Sequence, residues 1–217
     1  MTLKFPKRFH QNLEHNISLL VLNFIYVFVW GFTEGKLEQY GYGIIFSLIF
    51  VFAIRTIKEH NFRLYYFSAA AILIFWISFF FNMKYLMLTS HLFSVVFFII
   101  VVVLSVIKLA KAKVISAIEF IEAVNIYFFL GIIGSILLSV TYWLNPDAFS
   151  SGNPLTAPAD LIYFSFVTLT SLGYGDISPV HPIARSISIF LSFSGQIYIA
   201  MIISMLVGKY LNAKTKD

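Results

Sequence analysis

Residues 166–176 read FVTLTSLGYGD, and the interpretation of that run decides the fold of everything around it. The part before it, LIYFSFVTLT at residues 161–170, is apolar but far shorter than the ~20 helical residues a bilayer crossing requires. Further upstream, NPDAFSSGNPLTAPAD at residues 145–160 is rich in turn formers. Thr156 is expected to cap a helix starting at Ala157, with Pro158 tolerated in its first turn and Asp160 favourable at the positive N-terminal end. From there to Thr170 a helix would extend roughly 21 Å at ~1.5 Å per residue, which takes it only to about the middle of a membrane. Residues 171–176 must then carry the chain back out. Backbone without helical pairing is tolerated at that depth only where protein buries it or where it lines an aqueous path. A helix C-terminus pointing into the bilayer favours a cation. Gly173 and Gly175, at alternate positions, allow successive carbonyls to turn the same way, and Ser171 adds a hydroxyl at the inner end of the row. One chain supplies one wall of such a carbonyl-lined path. With a single copy of the hairpin per chain, a symmetric homo-oligomer is expected to close it.

Composition sets the environment. Of 217 residues, 59% are hydrophobic and 12% charged, well outside the range of soluble domains and in keeping with a multi-pass membrane protein. The absence of cysteine removes disulfides, thiolate metal sites and thiol nucleophiles. The net charge of +5 is spread in short clusters between apolar runs, without the continuous stripe that nucleic acid would need. The basic N-terminus precedes an apolar run but has no small-residue cleavage site, so it reads as an uncleaved membrane helix. Six apolar segments separate at residues 17–33, 42–57, 64–82, 86–107, 118–143 and 183–208. The second is the shortest, and Tyr40, Tyr42 and a snorkelling Arg55 would help it reach both interfaces. With the N-terminus inside, twelve of the fifteen Lys and Arg residues fall on the inner side. The exceptions are Lys36, Lys84 and Arg185, a strong positive-inside bias that places both termini in the cytoplasm of a cell membrane. Trp30, Trp76 and Trp143 then fall toward the outer side. The expected fold class is an all-α membrane protein of six spans, with a re-entrant helix and loop between the fifth and sixth. Its parts are a tail at 1–16, a four-helix domain at 17–108, a linker at 109–117 and a C-terminal domain at 118–217.

The run FVTLTSLGYGD resembles the pore helix and selectivity filter of the tetrameric potassium channels, whose usual filter reads T-V-G-Y-G followed by D. The similarity covers about the last hundred residues. It implies four chains around one axis, with residues 171–175 as the filter and the carbonyls of Ser171, Leu172, Gly173 and Tyr174 replacing the hydration shell of K+. It implies no cofactor beyond the permeating ion. Tyr174 would brace the filter from behind, and Asp176 would concentrate cations at the outer mouth. Ser171 and Leu172 depart from the usual threonine and valine or isoleucine, which bears on the strictness of K+ over Na+ selection. Gly195 follows Gly173 at the spacing where these channels carry a gating hinge; close helix packing is the alternative reading. If Gly195 faces the ion path, Ile199, Ile203 and Val207 share its face as a hydrophobic constriction. Ser192 and Gln196 would then wet the cavity above, or serve as ordinary helix contacts.

Four helices ahead of such a hairpin match voltage-gated topology, yet the fourth segment contains no arginine. Moving one charge through 100 mV yields about 2.3 kcal/mol, so steep voltage opening needs several charges per subunit. Little or no voltage gating is expected. His91 lies near the outer end of that segment and reads as interfacial. Lys108, Lys111 and Lys113, followed by Glu119 and Glu122, read as an interfacial linker, with anionic lipid headgroups as the sharper partner. Only ten residues follow Val207, so no appended ligand-binding domain is expected, and the short linker favours front and rear domains packing within one subunit. Among rivals, the GYGD of residues 173–176 matches intramembrane aspartyl proteases. Those require a second membrane aspartate, and Asp147, Asp160 and Asp217 all lie outside the spans. A K+ transporter would carry four such units in one chain. The favoured expectation is a passive K+-selective channel and not an enzyme, with a nonselective monovalent cation channel as the alternative.

Overall fold

The computed structural model describes residues 7–29, 36–57, 62–81, 83–112, 116–155 and 158–214. Four helices lead the chain: α1 (Lys7–Phe24, continued by a π-helical turn at Ile25–Val29), α2 (Lys36–Thr56), α3 (Phe62–Phe81) and α4 (Lys84–Lys111). The rear part comprises α5 (Ala117–Leu144), a 3-10 turn at Pro146–Ala148, strand β1 (Phe149–Ser151), the short helix α6 (Ala159–Leu169), strand β2 (Ile177–Pro179) and the long helix α7 (Pro182–Lys214). It is a helical membrane protein. Among the described residues, α3, α4, α5 and Pro182–Met205 of α7 are long and apolar enough to cross a bilayer, whereas the apolar parts of α1 and α2, Leu13–Val29 and Tyr40–Thr56, are shorter.

Between membrane helices the lipid is as apolar as the side chains, so packing and buried polar bonds must hold the bundle. Both are present. Phenylalanines knit the front helices together: Phe50 stacks on Phe97 at 4.2 Å between ring centres, and Phe98 reaches Phe129 of α5 at 5.4 Å. The front core therefore continues into the rear domain through Phe129, Ile132, Ile136 and Ile162. Asn125 of α5 clamps α1 twice, accepting from Asn23 Nδ2 at 3.1 Å and donating to the Asn16 carbonyl at 3.0 Å.

Local chemistry sets the ends of α5. Ser116 and Glu119 form a reciprocal capping box, which satisfies two otherwise orphaned N–H groups. At the other end, Asn145 accepts from the Asp147 N–H and starts the turn that leads to β1. The antiparallel pairing of β1 with β2, Ser150 opposite Ser178, is an addition to the expected all-helical fold. Thr156 and Ala157 lie outside the described residues, as do Trp30, Lys113 and the start of the 1–16 tail. Among the described residues the short helix runs from Ala159, with Pro158 at its N-cap and no side-chain cap bond there.

Candidate functional site

Helix α6 is held by its small faces. Ser165, wholly buried, donates to the Gly131 carbonyl at 2.7 Å, and a β-carbon at Gly131 would strike the Phe166 ring. At its end, the last carbonyls that a helix leaves without internal partners are taken up by the residues that follow. Phe166 O accepts from Thr170 N at 3.0 Å, Thr168 O from Ser171 N at 3.0 Å, and Val167 O from both Leu172 N at 3.0 Å and Gly173 N at 3.4 Å. Leu169 O accepts from the Tyr127 hydroxyl at 3.4 Å.

Beyond this cap the backbone alternates. Ser171, Gly173 and Gly175 have φ of 58°, 57° and 79°, and Ser171 is the single non-glycine with positive φ among the described residues. The two glycines adopt this region without steric cost, whereas serine pays for it. Its hydroxyl is held in place, 3.0 Å from the Ser192 hydroxyl and accepting from Gln196 Nε2 at 3.0 Å. Every residue from Thr170 to Asp176 is exposed within the single chain. Leu172 and Tyr174 are 56% and 66% exposed within the single chain.

The end of the run at Asp176 is anchored. Tyr163 donates to Asp176 Oδ2 at 2.7 Å, Ser178 donates to the Gly175 carbonyl at 3.4 Å, and the Ala148 carbonyl accepts from the N–H groups of Val180 and His181 at 2.8 and 3.1 Å. The tyrosine is a site residue that sequence reading missed. Its signal was the interval of thirteen residues to Asp176, which becomes meaningful only once the chain turns back on itself.

The two readings of Gly195 are separated by the face of α7 on which it lies. Gly195 lies on the buried stripe with Ala184, Ser188, Leu191 and Tyr198, and a β-carbon there would collide with the Leu169 carbonyl oxygen. It therefore packs against the end of α6, in an unbroken helix, instead of facing open space. The stripe on the Ser171 side is Ser192, Gln196, Ile199 and Ile203, successive positions of one helical face, of which Ile199 and Ile203 are 40% and 56% exposed. The Val207 side chain lies outside what the structure describes.

Lys108 is also placed differently from a headgroup ligand. Its ammonium sits 2.9 Å from Glu122 Oε1 and donates to the Thr56 carbonyl at 3.0 Å, bridging the ends of α2 and α4 to α5. Nearby, Tyr198 of α7 donates to the Ala123 carbonyl at 2.6 Å. Lys111 remains exposed.

Residues 122–211 match the ion channel family. The matched stretch runs from the acid that pairs with Lys108 through α6 and the 171–176 run into α7. Two curated plant proteins are similar over part of this region. Two pore potassium channel c of Oryza sativa subsp. japonica is 33% identical over 92 residues, which is 42% of this chain and 20% of that protein. Two-pore potassium channel 2 of Arabidopsis thaliana is 36% identical over 67 residues, 30% of this chain and 15% of that protein. The chain thus spans about a fifth or less of the length of these relatives. No solved structure matches. The matched family is one of ion channels and not of enzymes, and the rear of this chain carries an ion-channel domain similar to part of the plant potassium channels.

Proposed function

We propose that this chain is the subunit of a passive, homotetrameric, K+-selective channel of six spans, with α6 re-entrant, residues 171–175 as the filter, and little or no voltage gating. The observation that carries the reading is the alternation of positive φ at Ser171, Gly173 and Gly175 directly after the C-terminus of α6. A row of residues alternating in this way turns successive carbonyls toward one side, the arrangement that can replace a cation's hydration shell. Exposure of the whole run within one chain favours closure by further copies, and a single run per chain favours four-fold symmetry over a chain that surrounds the ion alone. Asp176 places a carboxylate at the mouth. The stripe of Ser192, Gln196, Ile199 and Ile203 would line the path below, polar near the filter and apolar toward the gate. The absence of arginine from α4 supports weak voltage dependence, and the positive-inside bias supports cytoplasmic termini in the cell membrane.

A second reading, a nonselective monovalent cation channel, is favoured by one specific feature. The Ser171 hydroxyl is engaged by Ser192 and Gln196 of α7, which draws it away from the innermost ring of oxygens. Flux from liposomes containing the purified protein separates the two, comparing K+ with Na+ gradients and repeating with Gly173→Ala. K+ flux well above Na+ flux that vanishes in the variant is the expected result. Equal flux of both ions would select the nonselective reading, and flux that survives Gly173→Ala would refute the assignment of the filter.

A further inference from the structure

At the end of the bundle where α4 begins and α5 stops, the helices line a half-open cavity of about 940 Å3 that nothing in the proposed conduction pathway uses. This is the size of sites that hold organic ligands, typically ~300–1,000 Å3. Its chemistry is graded. At the mouth, α4 starts at Lys84 with no acid in its first turn and no side-chain cap at Met83. A helix N-terminus carries partial positive charge, and here a lysine reinforces it where an acid would ordinarily oppose it. No aspartate or glutamate lines the cavity among the described residues.

Deeper in, the wholly buried Ser90 lines the same cavity, and its hydroxyl has no hydrogen-bond partner. Its neighbours on the wall behave differently. Ser78, Ser94 and Ser135 each donate to the carbonyl three or four residues earlier, at 2.7, 2.8 and 2.8 Å. A buried hydroxyl left unused is uncommon and calls for a partner. From Lys84 to Ser90 the helix rises about 9 Å. Past that point Phe46 and Ile162 join the wall, together with Ser94 and Ser135, whose hydroxyls are already bonded to their own helices.

We propose that this cavity binds an anionic glycerophospholipid from the adjacent leaflet. The phosphate sits at the α4 N-terminus with Lys84, an acyl-ester carbonyl accepts from Ser90, and an acyl chain runs past Phe46 toward Ile162. A glycerol unit separates phosphate from ester carbonyls, and with the reach of the lysine side chain it covers the interval between the two protein groups. Because Ile162 directly precedes Tyr163, the lipid would touch the helix whose tyrosine holds Asp176. The inference does not depend on which ion permeates.

The test uses the full chain in bilayer nanodiscs of phosphatidylcholine with a minor fraction of phosphatidylglycerol, one or the other carrying brominated acyl chains. Trp143 lines the cavity and its fluorescence reports contact with bromine; Trp143→Phe supplies the signal to subtract. Brominated phosphatidylglycerol is expected to quench Trp143 several-fold more per mole than brominated phosphatidylcholine. Lys84→Gln is expected to abolish that preference and Ser90→Ala to weaken it, while Lys111→Gln at the far end of α4 leaves it intact. Equal quenching by the two lipids, a preference that survives Lys84→Gln, or quenching by neither would overturn the proposal. Full competition by added inorganic phosphate would also overturn it, because the site would then hold a free anion.

Discussion

Replacing Lys108 by methionine should unsettle the junction between the front helices and α5 far more than its position at a helix end suggests. Its ammonium lies 2.9 Å from Glu122, and the two side chains are 29% and 3% exposed. Removing one partner of a buried pair costs ~3–5 kcal/mol because a charge is left in a poorly solvated site. Lys108 keeps partial access to solvent, which brings the cost below that range, to about 2–3 kcal/mol. Loss of its 3.0 Å bond to the Thr56 carbonyl adds ~1 kcal/mol. Glu122→Gln should cost less, about 1–2 kcal/mol, since the flexible lysine can swing its charge toward water. The double variant Lys108→Met with Glu122→Leu removes both charges and should recover most of the single variant's loss. At ~2–4 °C per kcal/mol for a chain of this size, Lys108→Met is expected to lower the melting midpoint by roughly 6–16 °C. The assay is thermal unfolding of detergent-solubilised protein followed by size-exclusion chromatography. A Lys108→Met variant no less stable than the double variant would refute the view that a buried acid is being compensated.

Gly195→Ala should abolish flux while leaving helical content intact by circular dichroism, because the added methyl meets the Leu169 carbonyl and overpacking costs ~1–3 kcal/mol; wild-type flux would dispose of the close-packing account. Gln196→Leu, which removes the 3.0 Å bond to Ser171 and frees that hydroxyl toward the innermost ring, should raise the ratio of K+ to Na+ flux, and an unchanged ratio would show that bond to be irrelevant to selection. Tyr163→Phe loses the 2.7 Å bond to Asp176 and should shorten the time over which liposome flux persists, with unaltered decay counting against an anchoring role. Asn125→Leu breaks both bonds to α1 and is expected to cost ~1–3 kcal/mol, measured by the same thermal assay.

Much of the helical layout was legible because bilayer thickness imposes a length that composition alone reveals. The apolar segment at 118–143 became α5 almost residue for residue, and the turn-rich stretch after it ended the helix where expected. Gly173 and Gly175 announced positive φ because few other residues adopt it freely. Ser171 did not, since its conformation is maintained by Ser192 and Gln196, which lie more than twenty positions away in the chain. The face of Gly195 stayed open, between a hinge and close packing, for a related reason. Spacing from Gly173 fixes how far along α7 a residue lies but not its rotation, and rotation is set by where α6 ends. The Lys108–Glu122 pair and the Asn16, Asn23 and Asn125 cluster were hidden because their partners sit on separate helices, and only the packing of those helices brings them together.

The pairing of β1 with β2 changes how force passes through the chain. The strand just after the 171–176 run is fastened to the strand just before α6, with Ser151 opposite Ile177. Pulling α5 and α7 apart therefore loads this short ladder, while the helix and loop between the two strands hang slack beside it. That helix and loop are wired in parallel with α5 and α7 and not in series. Displacements of α7 can reach that loop through Ser192, Gln196 and Gly195, but not as tension along its own backbone.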